Sequence, residues 1–181
     1  MIELMMVLAI TVVLAALAPP ALQGFIGNSR LSSAALGLLQ TLTMARTEAI
    51  KRAQPVVVCH PDDPAAADDA LACGGAETVW TTGHFVFADV DGDGVFDAGE
   101  DVLLRRGSPA PGQVEVRGND AAADAITFNA DGTLASGGAS ALLGLCDDRG
   151  GAYGRSVELL PVGHATLRKG TAENPVDCLD E

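Results

Sequence analysis

Ile2-Glu3-Leu4-Met5-Met6-Val7-Leu8-Ala9-Ile10-Thr11-Val12-Val13-Leu14-Ala15-Ala16-Leu17-Ala18-Pro19-Pro20 decides how the rest of the chain is read. From Leu4 to Ser29 there is no ionisable side chain, and Leu4 to Ala18 is apolar apart from Thr11. Such a run suits hydrocarbon. A bilayer core takes about 20 mostly apolar helical residues, a length reached here only if the helix continues through Pro19-Pro20 to Ile26; the prolines would kink such a helix without necessarily ending it. Glu3 is the single carboxylate at the start of this run. In an apolar setting it needs a partner, and near the membrane face the free amino terminus of a neighbouring subunit would serve; the alternative is a carboxylate in the headgroup region.

Moving outward, Phe25, Ile26, Leu31, Ala34, Ala35, Leu38, Leu39, Leu42, Ala45, Ala49 and Ile50 recur at three-to-four residue spacing, which predicts one long helix over the first fifty residues. Asn28, Arg30, Ser32, Ser33, Gln40, Arg46, Glu48 and Lys51 fall largely between them, so the second half is amphipathic and can lie on a sheet while the first half stays bare. One helix then serves two environments.

After Pro55 the pattern changes to short apolar runs broken by turns, the mark of antiparallel strands. Strands are expected at Val56–Cys59, Val79–Ala88, Val102–Arg105, Val114–Arg117, Ala125–Asn129, Leu142–Cys146, Ser156–Leu160 and Ala165–Arg168. Tight turns are expected at Ala130-Asp131-Gly132-Thr133 and Gly150-Gly151, and residues 61–69 read as a solvated loop. The fold class is α+β, a long helix packed on a small antiparallel β domain.

The chain has 181 residues, 48% of them apolar, with a mean hydropathy of +0.26, greasier than a soluble domain tolerates unless part of it is buried elsewhere. Residues 1–52 carry Arg30, Arg46, Lys51 and Arg52 against Glu3 and Glu48, a net +2; the total is −13, which leaves −15 for the remainder. So acidic a domain repels polyanions and argues against nonspecific nucleic-acid binding. Cys59, Cys73, Cys146 and Cys178 contain no C-x-x-C. Outside the cytoplasm their order favours Cys59 with Cys73 and Cys146 with Cys178 among three pairings, with free core thiols as the alternative.

Asp89-Val90-Asp91-Gly92-Asp93-Gly94-Val95-Phe96-Asp97-Ala98-Gly99-Glu100 fits the twelve-position calcium loop. Ligands would be Asp89, Asp91, Asp93, the Val95 carbonyl, Asp97 and bidentate Glu100, with Gly94 at the sharp turn. Strand-like flanks place this loop in a β hairpin, where a structural ion fits better than a sensor; an ion-free acidic turn is the alternative. No other cofactor is expected. His60, His84 and His164 are scattered, and no nucleophile, zinc or phosphate-loop motif accompanies them, so no enzyme activity is expected.

Ile2–Ile10 with Ala15–Pro19 resembles the start of type IV pilins and type II secretion pseudopilins. Arg30-Leu31, Ala45–Arg52, Asp89–Glu100 and Cys146-Asp147-Asp148-Arg149-Gly150-Gly151 are similar to the GspH/FimT subgroup. The resemblance implies a bacterial inner-membrane, single-pass protein: residues 1–27 form the membrane and filament-core half of the helix, and 28–181 a periplasmic domain. It implies a minor pseudopilin that primes or caps a secretion pseudopilus, or alternatively a type IV pilus minor pilin in pilus biogenesis or DNA uptake. The implied partners are other pilin-like subunits through the helix and Glu3, the inner-membrane assembly platform, and a prepilin peptidase.

That peptidase acts on a basic leader ending in glycine and followed by phenylalanine, a pattern from which Met1-Ile2-Glu3 departs; either the start lies further upstream or the chain has lost its leader, and no residue here is assigned to cleavage or N-methylation. A secretory signal peptide has a similar apolar core but lacks its basic n-region and small-residue site here. The positive-inside rule would put Arg30, Lys51 and Arg52 in the cytoplasm, opposite to the implied topology, unless the leader carries opposing charge. Some FimT-like pilins bind DNA through a glycine-arginine-x-arginine motif. The comparable place here is Gly163-His164-Ala165-Thr166, and Gly154-Arg155-Ser156-Val157 keeps one arginine. Arg149, Arg155, Arg168 and Lys169 remain the candidate DNA contacts, blunted by Asp147, Asp148 and Glu158.

Overall fold

The computed structural model describes residues 2–74 and 79–179, and the side chains of residues 13–21 lie outside that description. Helix α1 spans Ile2–Arg52, as the periodicity predicts. Glu48 near its C-terminus pairs with Lys51 at 2.9 Å and Arg52 at 3.0 Å, two cations placed where the helix dipole favours them. The helix stops because Ala53 turns into the left-handed region (φ 52°) and Pro55 follows with no N–H to continue the ladder.

Eight strands and a short 3₁₀ turn at Asp120–Ala122 follow: β1 Val56–Cys59, β2 His84–Ala88, β3 Val102–Gly107, β4 Glu115–Gly118, β5 Ala125–Phe128, β6 Ala141–Cys146, β7 Arg155–Leu159 and β8 Ala165–Lys169. They form two four-stranded antiparallel sheets, ordered β3-β2-β1-β5 and β4-β6-β7-β8. The expected strand from Val79 is the one that shortens most. Trp80 leaves the strand direction, its N–H bonding Val116 O at 2.8 Å and its Nε1 bonding Ala122 O at 2.8 Å, so it links the chain before β2 to the second sheet. Only after Gly83, whose φ of +115° suits glycine, does β2 begin.

The main core lies between α1 and both sheets. Leu31, Ala35, Leu38, Leu42, Ala45 and Ala49 point down at Val56, Val58, Val86, Phe128, Leu143, Leu145, Val157 and Leu159, all of them buried. The i, i+3, i+4, i+7 spacing puts those helix residues on one face, and the three alanines among them let the helix sit close to the strands. Each fully buried leucine contributes about 1.5–3 kcal/mol relative to an exposed one.

A second cluster, Val57, Cys59, Leu71, Phe85, Phe87 and Phe96, covers the opposite face of the first sheet. This explains why all four residues of β1 are apolar and buried, since a strand covered on both faces loses the usual alternation. The lid over that cluster is made of loops. Residues 60–74 are tied down by the Cys59–Cys73 disulfide and by Arg106, which donates to the carbonyls of Pro64 (2.7 Å) and Ala66 (2.8 Å). Phe96 comes in from the acidic loop. The second disulfide, Cys146–Cys178, straps the C-terminal segment across the second sheet. Both pairs are those that sequence order favours.

Candidate functional site: a bare helix and the contacts that aim it

The first described helix residue to be fully buried is Leu31. Before it, Ile2, Leu4, Met5, Met6, Val7, Leu8, Ile10, Val12, Leu22 and Phe25 are all more than half exposed, Phe25 at 71%. A soluble monomer rarely shows so much apolar surface along one helix unless a partner or lipid covers it. Glu3 is exposed in the first turn of this segment. Among the described residues no helix is long and apolar enough to cross a membrane. Residues 13–21, the middle of the expected membrane run, fall where side chains lie outside the description.

The helix leaves the domain under the control of three arginines. Arg149, in the loop after β6, is chelated by Asp147 through Nε (3.1 Å) and Nη2 (2.6 Å), and its Nη1 donates to Asn28 Oδ1 at 3.2 Å and Gly24 O at 3.4 Å. Burial pushes the Asp147 carboxyl up, yet the hydrogen bonds and charge of Arg149 outweigh it and hold the group below the usual carboxylate range. Gly27 leaves room for the guanidinium, since a Cβ there would lie 2.7 Å from Arg149 Nη2. One turn further along, buried Arg155 donates from Nη2 to Ser32 Oγ at 3.2 Å and from Nη1 to the carbonyls of Tyr153 and Gly154. Burial, and then repulsion by Arg149, push the Arg155 guanidinium below its ordinary value. Near the far end, Arg46 on the helix donates to Gly132 O (3.1 Å) and Val162 O (2.9 Å).

Two of the four candidate DNA-contact residues, Arg149 and Arg155, therefore face the helix. Arg168 is exposed and held by Asn174 Oδ1 (2.8 Å) and Pro175 O (3.1 Å). Lys169 is exposed, with no hydrogen-bond partner among the described residues.

The acidic loop joins β2 to β3, the hairpin setting its flanks predict. Asp89 is buried at its entrance and accepts from the N–H groups of Gly92 (2.8 Å) and Gly94 (3.0 Å). Burial pushes its carboxyl up, against the pull of those two N–H groups, and the nearby Asp101 charge pushes the same way as burial. Asp101 closes the loop, accepting from Val90 N–H (2.8 Å) and Asp97 N–H (3.0 Å). The carboxylates converge in two groups, Asp89 with Asp91 and Asp101, and Asp91 with Asp93 and Asp97. Glu100 and the Val95 carbonyl belong to neither carboxylate group, and Asp101, one residue past the twelve-position window, is the member the spacing omits. Two such oxygen clusters are chemically suited to a hard cation.

Two of the histidines are interior: His60 packs edge-on against the Trp80 ring with centroids 5.6 Å apart, and His84 places its Nε2 3.1 Å from Thr41 Oγ1 beneath the helix. Burial, and then the Arg105 charge, lower the His84 pKa to about 4, so His84 is neutral and structural at ordinary pH. Nothing in the sequence spacing pairs His84 with Thr41.

A long helix, bare at Ile2–Val12 and at Leu22 and Phe25 and seated by its second half on antiparallel sheets, defines a type IV pilin-like subunit. Among solved structures, the Pseudomonas aeruginosa type IV minor pilin FimU is similar at 21% identity over 85% of this chain and 98% of that one, with a TM-score of 0.62. The Vibrio cholerae minor pseudopilin EpsH of the type 2 secretion system is similar at 12% identity over 77% and 97%, with a TM-score of 0.51. Residues 34–163 match the family described as Type II transport protein GspH, and the chain belongs to that family. No curated protein matches the sequence.

Proposed function

We propose that this chain is a minor pseudopilin of a type II secretion system, a non-catalytic subunit that primes or caps the pseudopilus. The observation that carries the reading is the bare apolar helix before Leu31, joined to a domain of the GspH family. Helix segments of this kind from several subunits bury one another's apolar faces, the β domains then form the outer surface, and function follows from assembly. In the same proposal the first 27 residues anchor the protein in the bacterial inner membrane before assembly, the rest is periplasmic, and Glu3 pairs with a neighbour's amino terminus in the filament core. The acidic loop belongs to the proposal as a structural calcium site, with no role in catalysis.

The type IV pilus minor pilin is the second reading, favoured by the similarity to FimU. Deleting the gene in its host separates the two. Loss of protein export with pili intact supports the pseudopilus, and loss of pili with export intact supports the pilin.

A further inference from the structure

The open edges of the two sheets are not alike. β4 is closed by the segment before β2: Trp80 N–H reaches Val116 O, Thr81 Oγ1 accepts from Val116 N–H at 2.9 Å, and Val79 bridges to Arg117. β5 is closed by the following turn, through Ala135 N–H to Thr127 O and Asn129 N–H to Thr133 O. β3 is interrupted by a bulge opposite Val86 and Phe87, and its Arg106 reaches across to the 60–74 loop. Bulges and covering loops are the ordinary protections of sheet edges. β8 has neither. It pairs with β7 in unbroken register over its whole length, and among the described residues nothing pairs with its outer side.

The register states which groups are free. Leu160 N–H bonds His164 O at one end of the hairpin and Gly170 N–H bonds Gly154 O at the other. Pairing alternates along an antiparallel ladder, so Thr166 and Arg168 bond to β7, while Ala165, Leu167 and Lys169 direct N–H and C=O outward. That pattern is the template for one more strand. Its charge also differs from the rest of the molecule. The charged residues of the strand itself are Arg168 and Lys169, both exposed, and on β7 opposite them only Glu158 is charged apart from buried Arg155, in a chain of net −13. Lysine on an edge guards against random pairing, but here it stands at the last residue, and Ala165-Thr166-Leu167 are uncharged.

We propose that β8 accepts an extended acidic segment of another protein as a fifth strand of the second sheet. The added main chain bonds Ala165, Leu167 and Lys169, and its carboxylates lie near the Lys169 and Arg168 charges. A peptide fits this edge better than a nucleic acid, because three outward carbonyls would face phosphate oxygens and two of the arginines are turned toward the helix. This surface is separate from the bare helix and does not depend on the secretion or pilus assignment.

The test uses the full chain in detergent and four probes: short peptides alternating valine with glutamate, threonine or lysine, and a single-stranded oligothymidylate. The glutamate peptide is expected to bind about 5-fold more tightly than the threonine peptide, the size of a cross-strand charge pair, and the lysine peptide most weakly. Leu167→Pro removes an outward N–H without touching the bonds to β7 and is expected to weaken the glutamate peptide about 10-fold or more. Amide-exchange protection at Thr166 and Arg168 checks that the hairpin persists in that variant. Lys169→Glu, which leaves the backbone intact, is expected to erase the preference for glutamate over threonine. Absence of peptide binding, unchanged binding in Leu167→Pro with the hairpin protected, an unchanged preference in Lys169→Glu, or tighter binding of the oligothymidylate than of every peptide each overturns the proposal.

Discussion

Arg149 Nη1 lies 3.2 Å from Asn28 Oδ1, although the two residues are 121 positions apart, and through this contact the loop after β6 fixes where the helix leaves the domain. Arg149 is itself clamped by Asp147, so the bond joins the helix to a rigid partner. Arg149→Ala would leave Asp147 buried without its cation. A loss of about 1–3 kcal/mol is expected for unpairing such a group, read as a lower midpoint in urea unfolding with an unchanged slope. Asn28→Ala removes only the outer hydrogen bond and is expected to cost about 1 kcal/mol or less.

Gly163 tests the opposite end of the helix contact. Its φ is +76°, and a Cβ on it would overlap the carbonyl oxygen of Gly132, the same carbonyl that receives Arg46. Gly163→Ala is therefore expected to destabilise by about 1–3 kcal/mol from backbone strain, with the overlap adding to it. A thermal midpoint within error of the unsubstituted protein would contradict the packing described.

His84 predicts a pH dependence of definite sign. Its folded pKa is about 4, below the roughly 6.5 of an unfolded histidine. Between those values the unfolded chain binds the extra proton, so this residue makes stability fall as pH drops from about 6.5 to 4 and contributes no slope above that range. The raised carboxyl of Asp89 acts in the opposite sense, so the comparison must be made by substitution. The difference in unfolding free energy between the protein and His84→Gln is expected to shrink by up to about 3 kcal/mol across that window.

The disulfides should differ in their effect. The Cys146–Cys178 bridge closes 32 positions and Cys59–Cys73 closes 14. Chain-entropy scaling gives about 4 kcal/mol for the first and about 3 for the second. Replacing both cysteines of a pair by serine and comparing denaturation midpoints checks the order.

For the acidic loop, spacing and folded geometry predict different ligands. Calcium is expected to raise the thermal midpoint, and Asp91→Asn, which alters the residue common to both carboxylate groups, to abolish the rise. Loss of the effect in Glu100→Gln with Asp101→Asn unaffected would support the twelve-position spacing. The reverse would support the grouping in the folded loop.

What was legible in the sequence follows from local physics. The helix and seven of the strands lie close to where the 3.6- and 2-residue patterns place them, because those periods mark which face is buried. The Val79–Ala88 run misleads, since Val79-Trp80-Thr81-Thr82 has strand-like side chains but Trp80 is held by Val116 and Ala122 of a later part of the chain. Long-range partners are invisible to a local pattern. The same reason hides the roles of Arg149 and Arg155: their charge suggested an exposed patch, whereas Asn28, Gly24 and Ser32 receive them across more than a hundred residues. Asp101 stood next to the motif, and the only signal for it was one more carboxylate beyond the twelve-residue window.

Assembly through the bare helix is tested most directly by co-purification from membranes of the native host. A tagged copy is compared with the same copy bearing Glu3→Ala. The expected result is that other pilin-like subunits come down with the intact helix and are depleted by the substitution. Recovery of a soluble protein with no pilin-like partner would contradict the account.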